Sequence, residues 1–133
     1  MNKQVWYIID AKEQKLGRLS TSIGYILRGK NHPTYNPCET SNNYIIVINT
    51  KEIKISGRKK QQKLYKRHSS QPGGLKVETF ENLQNRLPNR IIKNSVKNML
   101  PKGKLGKRIL KNLKLYPDNR HPHEAQNPIK VNT

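Results

Sequence analysis

Two uninterrupted apolar runs constrain the fold of this chain more than any other feature. They are VWYIID at residues 5–10 and YIIVIN at residues 44–49, and most of their side chains are β-branched or aromatic. Such residues favour strands, and a strand without polar alternation is typical of a sheet covered on both faces. The two runs therefore predict two buried strands.

The segment between these runs has the pattern of an amphipathic helix. Its apolar residues recur at the spacing of one helical face, and Gly29 and Pro33 are signals that end a helix. That face comprises Leu16, Leu19, Ile23, Ile26 and Leu27. Strand, helix and strand in this order predict a βαβ unit with parallel strands.

The rest of the chain predicts shorter elements around a basic loop. KEIKIS at residues 51–56 predicts a strand, and the polar stretch at about 56–76 predicts a long exposed loop or hairpin. We expect a short helix in ETFENLQNR, a longer helix from Pro88, another helix in the next basic segment and a short final strand in LKLY. The longer helix should bury the side formed by Ile91, Ile92, Val96, Met99 and Leu100. Residues 1–133 would form one domain with a tail at about 117–133.

The charge of the chain limits the kind of partner it can have. It carries 27 Lys and Arg against 8 Asp and Glu, a formal net charge of +19 on 133 residues. The excess is uneven, because residues 1–49 hold 6 basic and 3 acidic groups whereas residues 51–133 hold 21 and 5. Such a chain repels itself and is suited to a dense polyanion, most commonly nucleic acid. The binding surface should come mainly from the second part.

The sequence shows no catalytic, cofactor or metal site. Cys38 is the only cysteine, so an intramolecular disulfide and a Cys-based zinc cage are excluded. His121 and His123 lack a nearby carboxylate cluster, and Gly103 and Gly106 lack the spacing and the Ser/Thr of a phosphate-binding loop. Neither an oriented nucleophile nor a carboxylate pair is visible, and no apolar run approaches the length of a membrane span. We expect no metal, no cofactor and no turnover.

Two basic segments remain as candidate binding surfaces. No acid interrupts the chain from Lys54 to Lys76, and Tyr65 and His68 are interleaved with its cations. Lys and Arg neutralise phosphates, while Tyr and His can stack on unpaired bases. The second segment, residues 99–116, combines cations with apolar residues at helical spacing. That pattern suits either a helix lying on a membrane or a surface for a polyanion.

Several ordered segments carry a family resemblance. WYIIDAKEQKLGRLSTSIGYILRGK is followed by YIIVIN, KISGRK and YKRHSSQPGGLK, and then by SVKNMLPKGKLGKRILKNLKLYPDNRHPHEAQNP. Together these segments resemble the L-thirteen family of large-ribosomal-subunit proteins over nearly the whole chain. The resemblance implies a three-layer α/β/α domain around a small, mainly parallel sheet with basic loop extensions. It also implies binding to large-subunit (23S-type) rRNA early in assembly, contact with neighbouring ribosomal proteins, and no catalytic activity.

The resemblance and the charge pattern together define the predicted RNA contacts. Leu105, Ile109 and Leu113 should face the sheet while the cations around them face RNA. The predicted contacts are Arg18, Arg28, Lys30, His32, Lys54, Arg58, Lys59, Lys60, Lys63, Tyr65, Lys66, Arg67, His68, Lys102, Lys104, Lys107, Arg108, Lys111, Lys114, Arg120, His121, His123 and Gln126. The alternatives are an RNA-binding module or translational regulator outside the ribosome and, more remotely, a peripheral membrane protein.

Composition also bears on origin and on the tail. Lys outnumbers Arg by 19 to 8, and 15 Asn and 13 Ile indicate an AT-rich coding genome. With the family pattern beginning at Trp6, we expect no transit peptide. An organelle-encoded protein of the plastid stroma fits these features, and the alternative is a cytoplasmic protein of an AT-rich bacterium. The Pro- and His-containing tail should dock on RNA, and truncation after Tyr116 should leave the core folded.

Overall fold

The predicted βαβ unit is present in the computed structural model of the protein, which describes residues 4–133. Strand β1 comprises Val5–Asp10, helix α1 comprises Leu16–Leu27, and strand β2 comprises Asn43–Ile48. β1 and β2 pair in parallel along their whole lengths. The prediction from the two apolar runs is confirmed.

Two short strands complete a four-stranded parallel sheet. Strand β5 comprises Leu113–Leu115 and pairs with β2, while strand β6 comprises Ile129–Lys130 and pairs with the other edge of β1. The strand order is β5-β2-β1-β6. The prediction that LKLY is the final strand is therefore wrong. β6 has only two residues, too few to show a hydrophobic period in the sequence.

Between β2 and β5 the chain forms a hairpin and a helical layer. Helix α2 spans Lys59–Gln62, and strands β3, Leu64–His68, and β4, Leu75–Thr79, pair antiparallel, which confirms the predicted hairpin. The helices that follow are α3, α4 and α5, at Phe80–Arg86, Pro88–Met99 and Lys104–Lys111.

The core lies between the helices and one face of the sheet. Ile9, Ile45 and Val47 of the strands are buried in one cluster with the apolar face of α1 and with Ile91, Ile92 and Val96 of α4. Leu100 is also buried, as predicted. Met99, however, is 42% exposed, so its predicted place in the core is wrong. Leu100 follows the end of α4 and has an extended backbone, and its side chain, not that of Met99, is buried in the core.

The segment KEIKIS does not form the predicted strand. Thr50–Glu52 is a single turn of 3-10 helix, entered through Asn49 in the left-handed conformation. Within residues 4–133 the only strand-like pairing of the segment is a bridge between Lys15 and Lys54. The Gln84 side chain donates to the backbone carbonyls of Lys51 and Ile53, at 2.8 and 3.1 Å. These carbonyls are thus satisfied by a side chain from α3, and no sheet edge is needed.

The second face of the sheet is covered by the C-terminal segment. On this face Trp6 of β1 stacks on Tyr44 of β2, with ring centroids 4.5 Å apart, and the His123 ring lies 5.2 Å from the Trp6 ring. The Tyr116 hydroxyl lies 2.6 Å from Nε2 of His123. Ile46 is fully buried but lies outside the cluster under the helices. The domain is therefore α/β with a mainly parallel sheet, and its third layer is the thin C-terminal segment with a 3-10 turn at Glu124–Gln126.

Candidate nucleic-acid interface

The hairpin holds its cations in solvent. Apart from Lys54, which pairs with Glu13 at 3.4 Å, none of the predicted contact residues forms an ion pair within residues 4–133. The exposed cations of the hairpin and its leading turn are Arg58, Lys59, Lys60, Lys63, Lys66, Arg67 and Lys76. Because none of these seven cations is held in an ion pair within the described residues, they are available to phosphates.

The hairpin is anchored to the helical layer at its base. Arg86 of α3 makes a two-pronged contact with Glu78 of β4, with Nε–Oε1 and Nη2–Oε2 distances of 2.9 and 2.5 Å. This hydrogen bonding holds the pKa of the Glu78 carboxyl below its usual value. The Phe80 backbone N–H also donates to the Lys63 carbonyl at 2.9 Å. The cationic surface therefore stands on a fixed base.

Tyr65 is the half-buried member of the predicted cluster. Its ring lies 6.5 Å from the ring of Phe80, a core residue, and burial raises the pKa of its hydroxyl. Lys63 Nζ lies 5.5 Å from the centroid of the same ring. Tyr65 thus supports the hairpin and helps to hold Lys63 in place, in addition to any contact with a ligand.

A groove separates the hairpin from α4. It has a volume of about 410 Å3 and is lined by Lys63, Leu64, Tyr65, Lys66, Asn94, Ser95, Lys97 and Asn98. The α4 residues of this wall were missed by the sequence analysis. The spacing of Asn94, Lys97 and Asn98 could have indicated this wall, because residues three and four positions apart share one side of a helix, here the polar side. Cations and amides on both walls suit phosphate and ribose oxygens.

Helix α5 places its apolar residues against the core and its cations in solvent. Ile109 is 3% exposed, and Leu105 and Leu113 pack against the core cluster. Lys114 is half-buried. The other cations of the segment are exposed to solvent, namely Lys102, Lys104, Lys107, Arg108 and Lys111. The apolar side of α5 is therefore occupied by its own domain, which argues against the membrane alternative. Across residues 4–133, no helix has the length and apolar character needed to cross a bilayer.

Some of the remaining predicted residues lie in two separate places. Arg28 and His32 line a cavity at the end of α1, where an Arg28 guanidinium nitrogen donates to the Tyr35 hydroxyl at 3.1 Å. Lys114 and His121 lie beside His123 on the second face of the sheet. Exposed members of the set that belong to neither place are Arg18, Lys30, Arg120 and Gln126.

We expect the packing of the tail through His123 to depend on pH. Burial, followed by the charges of His121 and Lys114, lowers the pKa of its imidazole, so the folded state favours the neutral ring. The stability that this provides is fully present above the unfolded pKa of about 6.5 and is lost as pH falls toward the lower folded value. We expect the free energy of unfolding to decrease more between pH 7 and pH 5 in the wild type than in His123→Gln. Urea unfolding of both proteins at each pH is the measurement, and identical pH profiles would contradict the assignment.

Possible metal ligands are scattered over the part of the chain that the structure describes. Nowhere in residues 4–133 do three His, Cys, Asp or Glu side chains come together as a possible metal site. Cys38 is an exposed thiol. What the arrangement offers is a set of unpaired cations and amides on fixed elements, which is a surface for binding an anionic polymer.

Comparison with known proteins gives one consistent answer. A family model described as "Ribosomal protein L13" matches residues 4–122. The protein named large ribosomal subunit protein uL13c of Porphyra purpurea is 62% identical over 128 residues, covering 96% of this chain and 90% of that protein. The uL13c of Pyropia yezoensis is 61% identical over 92% of this chain and 87% of its own length. The uL13 of the Crocosphaera subtropica strain is 54% identical over 96% and 85%.

These matches extend over nearly all of the described fold, including the hairpin and α5, and they agree with the resemblance seen in the quoted segments. Catalysis is not part of the role of such proteins, which are structural. The chain belongs to the ribosomal protein L13 family.

Proposed function

We propose that this protein binds the rRNA of the large ribosomal subunit, supports early assembly of that subunit and contacts neighbouring ribosomal proteins. The observation that carries the proposal is the fixed set of unpaired cations on the hairpin, beside a groove with amide and Lys side chains from α4. The names of the relatives agree with it, since they are large-subunit proteins. The predicted contacts on the hairpin and α5 are the main RNA surface in this proposal.

We further propose that the protein is plastid-encoded and works in the plastid stroma. The abundance of Lys, Asn and Ile supports an AT-rich genome. Two relatives from red algae are 62% and 61% identical, compared with 54% for the uL13 of Crocosphaera. The alternative is a bacterial cytoplasm. Sequencing the DNA that flanks the coding region distinguishes a plastid gene cluster from a bacterial chromosome.

Removal of hairpin charge should weaken RNA binding. Each phosphate contact contributes about 0.7 to 0.9 to the slope of log affinity against log salt, so a variant with Arg58, Lys59, Lys60 and Lys63 changed to Gln should lose about 3 from that slope. The measurement is binding of the full chain to large-subunit rRNA at several salt concentrations. Wild-type slope and affinity in this variant would exclude the hairpin as an RNA surface.

A matched control removes the same number of charges elsewhere. Lys12, Lys15, Lys51 and Lys130 are exposed and lie outside the predicted contact set, and two of them are already in ion pairs. Changing these four to Gln should leave most of the salt slope intact.

Sedimentation of tagged protein with large subunits in a salt gradient distinguishes a ribosomal protein from an RNA-binding regulator that acts elsewhere.

A further inference from the structure

A cavity of about 220 Å3 lies where the chain returns from α1 to β2. Its walls come from the end of α1, from the loop at residues 30–42 and from the starts of β1 and β2. The side chains that bear on its chemistry are Arg28, His32, Tyr35, Asn36 and Glu39. None of these side chains belongs to the core, so the hydrophobic cluster does not account for the shape of the cavity.

The loop that forms the cavity is fixed to the end of α1. The Ser41 hydroxyl donates to the Leu27 carbonyl, and Nδ2 of Asn43 donates to the Ile26 carbonyl at 2.8 Å. Gly29 has φ of +74°, and a Cβ on it would lie 2.8 Å from Cβ of Ser41. The loop therefore approaches the helix end as closely as a glycine permits, and the cavity exists before any ligand binds.

The cavity presents both signs of charge without an ion pair between them. The Arg28 guanidinium donates once, to Tyr35, and its other N–H groups have no hydrogen-bond partner within residues 4–133. Glu39 accepts from Nδ2 of Asn36 at 3.2 Å through Oε1, and its Oε2 has no recorded hydrogen bond in the described chain. Oδ1 of Asn36 in turn accepts from the Cys38 backbone N–H at 3.1 Å, which holds that amide in place.

This combination is poorly suited to simple ions as the ligand. A phosphate would meet the carboxylate of Glu39, and a metal cation would meet the guanidinium of Arg28. A neutral planar group with separate donor and acceptor edges can satisfy both side chains, and the rings of His32 and Tyr35 offer it stacking surfaces. Unpaired RNA bases are recognised in this way, by stacking on aromatic rings and by hydrogen bonds to their edges.

We propose that this cavity binds the guanine base of an unpaired nucleotide of RNA, an inference that rests on the proposed function. Guanine carries the acceptor pair N7 and O6 on one edge, the pair that Arg contacts most often, and the donors N1–H and N2–H2 on another. A carboxylate can accept from two such donors at once. Adenine lacks the O6 acceptor and the second donor, so Arg28 and Glu39 together select guanine.

The test uses the full-length protein and dye-labelled uridine pentamers that carry one central guanosine, inosine or adenosine. Anisotropy titrations should show the guanosine pentamer binding about fivefold or more tightly than the adenosine pentamer, the difference expected of one good bidentate contact. Inosine, which lacks the N2 amino group, should lie between them. The readout is this ratio of affinities, which a general change in charge does not alter.

Two variants with the same change in charge assign the selectivity. Glu39→Gln should lower the guanosine-to-adenosine ratio and leave only the share due to Arg28, whereas Glu81→Gln, which removes an exposed carboxylate at the start of α3, should keep the wild-type ratio. Equal ratios in the wild type and Glu39→Gln would overturn the inference. The inference would also be overturned if the wild type bound the guanosine and adenosine pentamers equally well. Binding of rRNA by the hairpin is tested separately, through the salt slope, and would not be affected by that result.

Free nucleotide is the other possible source of a guanine base. GMP that competes with the guanosine pentamer at equal concentration would overturn the RNA assignment and indicate a free-nucleotide site. We expect much weaker competition by GMP, because the pentamer adds phosphates that can contact exposed Lys30 at the start of the loop.

Discussion

Replacing Gly106 by alanine is expected to lower the free energy of unfolding by about 3 kcal/mol or more, beyond most single substitutions. Gly106 is buried in α5, and a Cβ there would lie 1.7 Å from the carbonyl oxygen of Pro101 and 2.9 Å from its carbonyl carbon. The obstacle is backbone, which cannot move aside as a flexible side chain would. The loop before α5, or the helix itself, must shift.

The matched control for this prediction is Gly17→Ala in α1. Apart from its chain neighbours and the backbone of its own helix, no heavy atom of residues 4–133 lies within 4 Å of the position that its Cβ would take. Alanine is a better helix former than glycine, so the free energy of unfolding of this variant should be higher than that of the wild type by about 0.4 to 1 kcal/mol. Urea unfolding followed by circular dichroism compares the two variants with the wild type. Equal stability of Gly106→Ala and the wild type would show that α5 adapts to the methyl group without cost.

The sequence predicted those parts of the fold whose patterns are local. The β1, α1 and β2 runs are long and strongly periodic, so the βαβ unit followed from them. The strand proposed at KEIKIS failed because the Gln84 side chain, from a distant part of the chain, satisfies its carbonyls. β6 was missed since its partner, β1, and not its composition, makes it a strand. Both errors arise from long-range contacts that no local window contains.

Only part of the candidate interface was predicted from the sequence. Exposure of the hairpin cations follows from an acid-free run with almost nothing to bury. The groove wall on α4 was not predicted, because it becomes a wall only when the hairpin packs beside that helix. His123 was predicted as an RNA contact from the family resemblance and from its hydrogen-bonding groups, yet its ring lies against Trp6 and Tyr116. Its role on RNA stays a prediction, while its role in the fold is evident.

The last element of the chain changes what truncation should do. An unfolded tail could be removed without cost, but residues 117–133 include β6 and His123, which cover the edge of β1 and the second face of the sheet. The Val131 backbone N–H also donates to the Ile8 carbonyl at 3.0 Å. We therefore expect truncation after Tyr116 to destabilise the core, contrary to the expectation from sequence.

Exposure of the second face sets the size of this effect. Uncovering the fully buried side chain of Ile46 alone costs about 1.5 to 3 kcal/mol, and loss of the Trp6 contacts and of the β6 pairing adds to it. In a domain of this size the midpoint of thermal unfolding should fall by about 10 °C or more. A second truncation after Asn127 removes β6 but keeps His123, and its midpoint should lie between those of the other two proteins. If the protein ending at Tyr116 unfolded at the wild-type midpoint, the C-terminal segment would contribute nothing to the stability of the sheet, and its packing against Trp6 would be incidental.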